Sequence, residues 1–307
     1  MPSNTKEIKR RIKSISSTLQ LTKALELISS VKMRHATAIA QDSRDFSDEI
    51  WQLIARLYPK NDDEKLPRLF APNIKASKSL LLVIASDKGL AGSYNANVLR
   101  KAKEVVTASD NQFDVIAMGK KTKKVEQIAK NVNIISFFEH TDEEFDFFQL
   151  SPISKMIIEK YLEGEYKDVT VIYTDFVNTL KQVATAQTIL PIAQSTIPTA
   201  MPVGKQDDND SSPSSVLRVP SSDFKYEPDT KSILETLGKL AVRSQIYQAM
   251  LEASASEHSA RMVAMKNATE NGKELVGDLQ FTFNQLRQQG ITQEIAEISA
   301  GRIALAI

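Results

Sequence analysis

The chain contains no cysteine, one tryptophan, three histidines and ten glycines in 307 residues. Without thiols there is no disulfide, no thiolate metal site, no cysteine nucleophile and no redox switch. The histidines, His35, His140 and His258, stand in separate segments, and none has the two-histidine spacing of a zinc site. The glycines form neither the Gly-x-Gly-x-x-Gly of dinucleotide folds nor a phosphate loop ending in Gly-Lys-Ser/Thr, and no Gly-x-Ser-x-Gly elbow occurs. No run of about eighteen apolar residues is present to span a bilayer. The Met1–Thr5 stretch lacks the apolar centre of a signal peptide, so the expectation is a protein that acts where it is made. Metal, cofactor and active-site chemistry are accordingly not expected.

Helix breakers are also missing at both ends. From Thr5 to about Ala40 there is no Pro or Gly, and Ile8, Ile12, Ile15 and Leu19 follow steps of four and three, the spacing of a coiled-coil seam. The spacing predicts that this seam then drifts to Leu21, Leu25 and Ile28 and that the helix continues to Leu57. At the other end, the residues from Asp229 or Thr230 onward read as one long helix with Ile291, Ile295 and Ile298 on its seam. Two such helices bury their seams by packing antiparallel, which gives a rod carrying a globular part.

The intervening chain alternates apolar strands with helices. Pro59, Pro67 and Pro72 mark a linker. Strands are expected at Leu80–Ala85, Asp114–Met118, Val132–Phe138, Val169–Thr174 and Gln182–Leu190, with helices at Ser93–Ala108, Lys120–Lys130 and Gln149–Leu162. The strand runs are apolar on both faces, which predicts an α/β fold with a Rossmann-like, mostly parallel five-stranded sheet between helices. The expected division is an N-terminal coiled-coil helix over 1–58, an α/β domain over 75–191, a Pro/Ser/Asp-rich insertion over 192–228 and a C-terminal helix over 229–307.

The turn Ser86–Gly92 at the end of the first strand reads as a structural turn rather than an anion site. The acidic residues Glu139, Asp142, Glu143, Glu144 and Asp146 lack the glycine a calcium loop needs and read as a solvated loop. Charge is the one positive signal: residues 1–36 carry eight Lys and Arg against Glu7 and Glu26, an excess that seeks an acidic partner. Aromatics are absent there before Phe46, which argues against nucleic acid.

Five segments in register resemble the gamma subunits of F-type ATP synthases, the family of central rotor shafts. They are Lys6-Glu7-Ile8 with Thr22–Leu27 and Lys32-Met33-Arg34; the turn Ser86–Asn95; Tyr226–Asp229 with Ser244–Ala249; Ser256–Asn271; and Ile291–Gly301. The resemblance implies a non-catalytic shaft within a ring of three alpha and three beta subunits, standing on an epsilon subunit and a ring of membrane-embedded c subunits. It implies a peripheral location on the cytoplasmic face of a bacterial plasma membrane. It further implies that Lys32, Met33 and Arg34 meet acidic lever loops of beta, that Arg287, Gln288, Thr292 and Glu294 meet the ring or brace the first helix, and that Ile303, Leu305 and Ile307 enter an apolar bearing. Arg302 departs from the small apolar tail of the family, and Ala91 stands where the family often has Cys. Two rivals remain: a paralogous shaft in a motor without a proton ring, and an enzyme using the α/β part as a nucleotide domain.

Overall fold

The computed structural model describes residues 3–58, 66–109, 111–127, 131–139, 147–148, 150–193, 227 and 229–305. The acidic stretch from His140 to Asp146 and nearly all of the 192–228 insertion lie outside them. The elements in order are α1 (Ser3–Leu57), β1 (Lys78–Ile84), α2 (Tyr94–Thr107), β2 (Gln112–Met118), β3 (Val132–Phe138), α3 (Ser151–Glu163), β4 (Tyr166–Phe176), β5 (Gln182–Leu190) and α4 (Thr230–Leu305). The chain forms two compact units, one of residues 1–32, 90–92 and 258–307, the other of residues 33–89 and 93–257.

The second unit is built on a five-stranded sheet in the order β3-β2-β1-β4-β5. All pairs are parallel except β4 with β5. Alternation along β1 sorts its side chains between two cores. Leu80, Leu82 and Ile84 join the larger core with Ile54 and Leu57 of α1, Ile157 of α3 and Ile246 and Met250 of α4. Leu81, Val83 and Ala85 face α2 through Val98, Ala102 and Val106. Lys120–Gln127 is a 3-10 segment rather than the expected α-helix. It opens at Gly119, whose φ of +89° and close approach to the Ala85 carbonyl leave no room for a Cβ.

The first unit is a two-helix coil. Thr22 and Thr269 share a hydroxyl hydrogen bond of 2.8 Å. A Cβ placed on Gly272 would lie 2.5 Å from Leu19 Cδ2. A step forward from Leu19 to Thr22 is thus matched by an equal step backward from Gly272 to Thr269, so the helices run antiparallel. The α4 row continues through Val276, Leu279, Phe283, Leu286 and Gly290, all half-buried.

Two expectations about the seam are corrected here. It does not drift to Leu21 and Ile28: Thr5, Ile8, Ile12, Ile15, Leu19, Thr22, Glu26 and Ser29 keep strict three-four steps and are each at least half-buried, Leu25 beside them is half-buried too, and Leu21 and Ile28 are 60% and 54% exposed. The row survives a change from aliphatic to small polar residues because its spacing, not its hydropathy, keeps it facing α4. In α4, Ile291, Ile295 and Ile298 are 50%, 59% and 72% exposed and lie outside the half-buried row that packs on α1. The paired row runs through Gly290. Thr5 of α1 lines a cleft with Leu286, Gly290 and Ile291 at this end of the row.

Candidate partner-binding surfaces

Three surfaces correspond to the sequence expectations. On α1 of the coil, Leu21, Leu27, Ile28 and Val31 are 54% to 60% exposed. Leu21 and Ile28 are seven residues apart, Leu27 and Val31 four, and Ile28 and Val31 three, which puts the four on one side of the helix, away from the row that packs on α4. Lys23 beside them is paired with Glu26 at 2.9 Å. Of the three adjacent predicted contact residues, Arg34 is exposed, while Lys32 and Met33 are half-buried. Met33 continues the three-four row after Ser29 and is half-buried. Sequence reasoning placed Leu21 and Ile28 in the seam and thereby missed this apolar row; strict continuation of the heptad past Leu19 is the signal that reveals it.

The second surface is the far part of α4. Arg287, Gln288, Thr292 and Glu294 are all exposed. Arg287 and Glu294 line a cleft of about 130 Å³ with Thr5, Phe283, Leu286, Gly290 and Ile291. Beyond it, Ile295 and Ile298 continue an exposed apolar row, and Gln293 donates a hydrogen bond to Glu297 at 3.0 Å. Arg302 is exposed; the Ile303 and Leu305 side chains, and all of Ile307, lie outside the described residues. The antiparallel register places Lys32 near the start of this unit's α4 and Arg287 opposite the start of α1, so these contact residues form separate surfaces rather than one site.

The third is the turn after β1. Asn95 Oδ1 accepts the Ser86 backbone N–H at 3.1 Å and its hydroxyl at 2.9 Å, while Asp87 Oδ1 accepts the Lys120 N–H at 2.7 Å. Leu90 and Gly92 have φ of +62° and +55°. The side chains that a nucleotide loop would keep for phosphate are spent here on holding the turn. Open α/β sheets bind ligands where strand order reverses, here between β1 and β4. At the carboxyl end of β4 Ser256 of α4 donates to the Thr174 carbonyl at 3.1 Å, so the chain's own helix occupies that position. Among the described residues no group of His, Asp or Glu is arranged to hold a metal. His258 is buried, with Nδ1 3.3 Å from Arg261 Nη1.

A family model described as ATP synthase matches residues 4–305. The chain is 36% identical to an ATP synthase gamma chain of a Roseiflexus species over 100% of its length and 99% of the relative's. The chain belongs to the ATP synthase gamma-chain family. A sodium-ion-specific gamma chain of Acetobacterium woodii is 32% identical over 99% of this chain and 100% of its own. The fold matches a chain in the Euglena gracilis mitochondrial ATP synthase, solved with its c-ring, at a TM-score of 0.63 and 16% identity over 98% of this chain and 94% of the other. A gamma-family chain is a non-catalytic stalk component, which removes the enzyme reading. The curated relatives are gamma chains of ATP synthases, and a paralogous motor is not favoured.

Proposed function

We propose that the chain is the central rotor shaft of an F-type ATP synthase, with its coil inside a ring of alpha and beta subunits and its sheet unit on epsilon and the c-ring. The observation that carries the contact assignment is the exposed row Leu21, Leu27, Ile28 and Val31 beside Lys32 and Arg34. Four aliphatics on one side of a helix already packed along another face call for an enclosing partner. A surrounding sleeve supplies it along the coil, and acidic loops on that sleeve meet the two cations. Arg287, Gln288, Thr292 and Glu294 contact the ring higher on α4, and Ile303, Leu305 and Ile307 run in its apical bearing.

The mechanism follows from asymmetry. A coil of two unlike helices presents a different surface in each direction, so three identical catalytic subunits around it are held in three states. Turning the shaft exchanges those contacts, and the differences in contact free energy link rotation to nucleotide binding and release. Among the described residues no helix is long and apolar enough to cross a membrane. This fits a peripheral position on the cytoplasmic face of a bacterial plasma membrane, with attachment through the c-ring.

Lys32→Glu with Arg34→Glu, assembled with alpha and beta, tests the reading. Stalled or slowed rotation of a bead on the shaft is expected at low ionic strength, because like charges then pass at close range, with partial recovery as salt screens them. Unchanged torque and ATPase rate at low salt would remove these residues from the contact.

A further inference from the structure

Within the sheet unit, four aromatic rings from three parts of the chain meet on one surface. Phe147 lies at the centre, edge-to-face with Phe46 of α1 at 6.3 Å, with Phe148 at 6.1 Å and with Tyr247 of α4 at 5.4 Å. The Arg243 guanidinium of α4 lies 4.2 Å from the Phe147 ring centroid and 5.4 Å from that of Phe148, and its Nη2 donates to the Phe147 carbonyl at 2.9 Å. At the start of α3 the Ser151 N–H donates to the Phe148 carbonyl at 3.0 Å. These contacts fix the Phe147 and Phe148 backbone, yet they leave Phe148 73% and Phe46 49% exposed. Leu53, two turns beyond Phe46 on the same face of α1, is 42% exposed. A lone exposed ring is ordinary, but aromatic rings held in place beside an exposed aliphatic have the make-up of an interface anchor.

The rim of this surface on α1 is acidic. Asp42 stands four residues before Phe46 and Glu49 three after it, and Asp45 lies between them, so carboxylates run along one flank of the apolar stripe. All three are exposed, and among the described residues none of them has a cationic partner. The nearby cations are engaged elsewhere. Arg44 is paired with the buried Glu252 at 3.2 Å, Lys239, one turn before Arg243, is paired with Glu235 at 2.9 Å, and Arg243 lies against the rings. Arg56, three residues past Leu53, is exposed and bounds the far end of the stripe.

We propose that this surface docks a partner polypeptide segment carrying an aromatic or large aliphatic side chain flanked by lysine or arginine. The apolar side chain packs on Phe148 and Phe46, and the flanking cation reaches Asp42, Asp45 and Glu49. Charge selects this occupant. A second copy of this chain would set the same carboxylates against each other, and an anionic bilayer would repel them, whereas a basic-flanked segment satisfies both the rings and the rim. The docking goes beyond the rotor reading and does not rest on it, because neither the ring nor rotation enters into it.

The test uses the full chain with labelled phenylalanine rings and leucine methyls, titrated with capped Lys-Leu-Phe-Lys-Leu-Lys. Two analogues are compared, one with Glu in place of every Lys and one with Ser in place of every apolar residue. Shifts at Phe148, Phe46 and Leu53 are expected with the first peptide, with affinity about tenfold lower for each analogue. Phe148→Ser should weaken the first peptide about tenfold, and Asp42→Asn with Glu49→Gln should bring the lysine and glutamate peptides within about threefold of each other. Phe148 is mostly exposed, so its substitution leaves the core intact, and the peptide comparison needs no substitution at all. Equal binding of the lysine and glutamate peptides, undiminished binding of the serine analogue, shifts confined to residues outside this surface, or no shift at millimolar peptide would each overturn the proposal.

Discussion

Along α1 the same three-four spacing runs from Thr5 to Leu57, yet Ile8, Ile12, Ile15 and Leu19 are half-buried whereas Ile50, Ile54 and Leu57 are buried. The difference lies in cover. In the coil each α1 residue has one partner helix, and a two-helix contact leaves the flanks of the large aliphatic seam side chains in water, while the small Thr5 and Ser29 are covered. In the sheet unit the row joins a core that also draws on β1, α3 and α4, so the same kind of residue is enclosed on all sides. For aliphatic seam residues burial thus reports how many elements meet there, since Ile15 and Ile54 are the same residue in the same row and only Ile54 is buried.

The sharpest way to break this comparison is to put one charge at two places on the row. Ile54→Asp would strand a carboxylate in the core and is expected to cost about 4 kcal/mol or more, enough to lose the sheet unit's cooperative unfolding. Ile15→Asp, which can turn its carboxylate to water, should cost about 1 to 2 kcal/mol. Denaturant unfolding of the two variants followed by near-ultraviolet circular dichroism compares them, and equal losses would show that cover does not differ along α1.

A smaller effect is expected at Gly272. Alanine there must displace the end of the Leu19 side chain, an overpacking cost of about 1 to 3 kcal/mol offset by roughly 1 kcal/mol of helix propensity. Leu19→Ala should partly rescue Gly272→Ala, giving a favourable coupling in a double-mutant cycle. Strict additivity would mean that the two residues are not opposed and that the antiparallel register is wrong.

The smallest effect is expected at Ile295, where the sequence pattern placed a seam and the structure places solvent. Ile295→Asp should change the stability of the isolated chain by no more than about 0.5 kcal/mol, the same as Gln293→Asp. Its consequence belongs to the assembled complex, where that face is proposed to be enclosed. A large loss in the isolated chain, seen by calorimetry, would restore the seam.

Most of the fold was legible in the sequence because its signals are local. Apolar runs bounded by turns placed all five strands, with β5 matched at both ends, and freedom from Pro and Gly marked α1 to Leu57. Lys120–Gln127 was misread because Lys and Gln favour a helix, whereas the backbone must leave Gly119 at positive φ. The candidate surfaces were legible only in part. Lys32, Arg34, Arg287 and Glu294 came from motif resemblance, while the exposed row at Leu21, Leu27, Ile28 and Val31 was hidden by the habit of assigning aliphatics to the inside. Glu252 gave no signal at all, since nothing near it in sequence indicates that Arg44 and the β4–β5 turn meet it.

By itself the sequence determined the two long helices, the alternating strands and helices between them, the absence of thiol chemistry and the family, since each depends on composition, short-range spacing or motif order. Only the tertiary structure decided which side of each helix is the seam and which carboxylate is taken out of water. Those outcomes depend on residues far apart in the chain, and a helix whose seam passes through Thr, Ser and Gly does not show its inner face until its partner is in place.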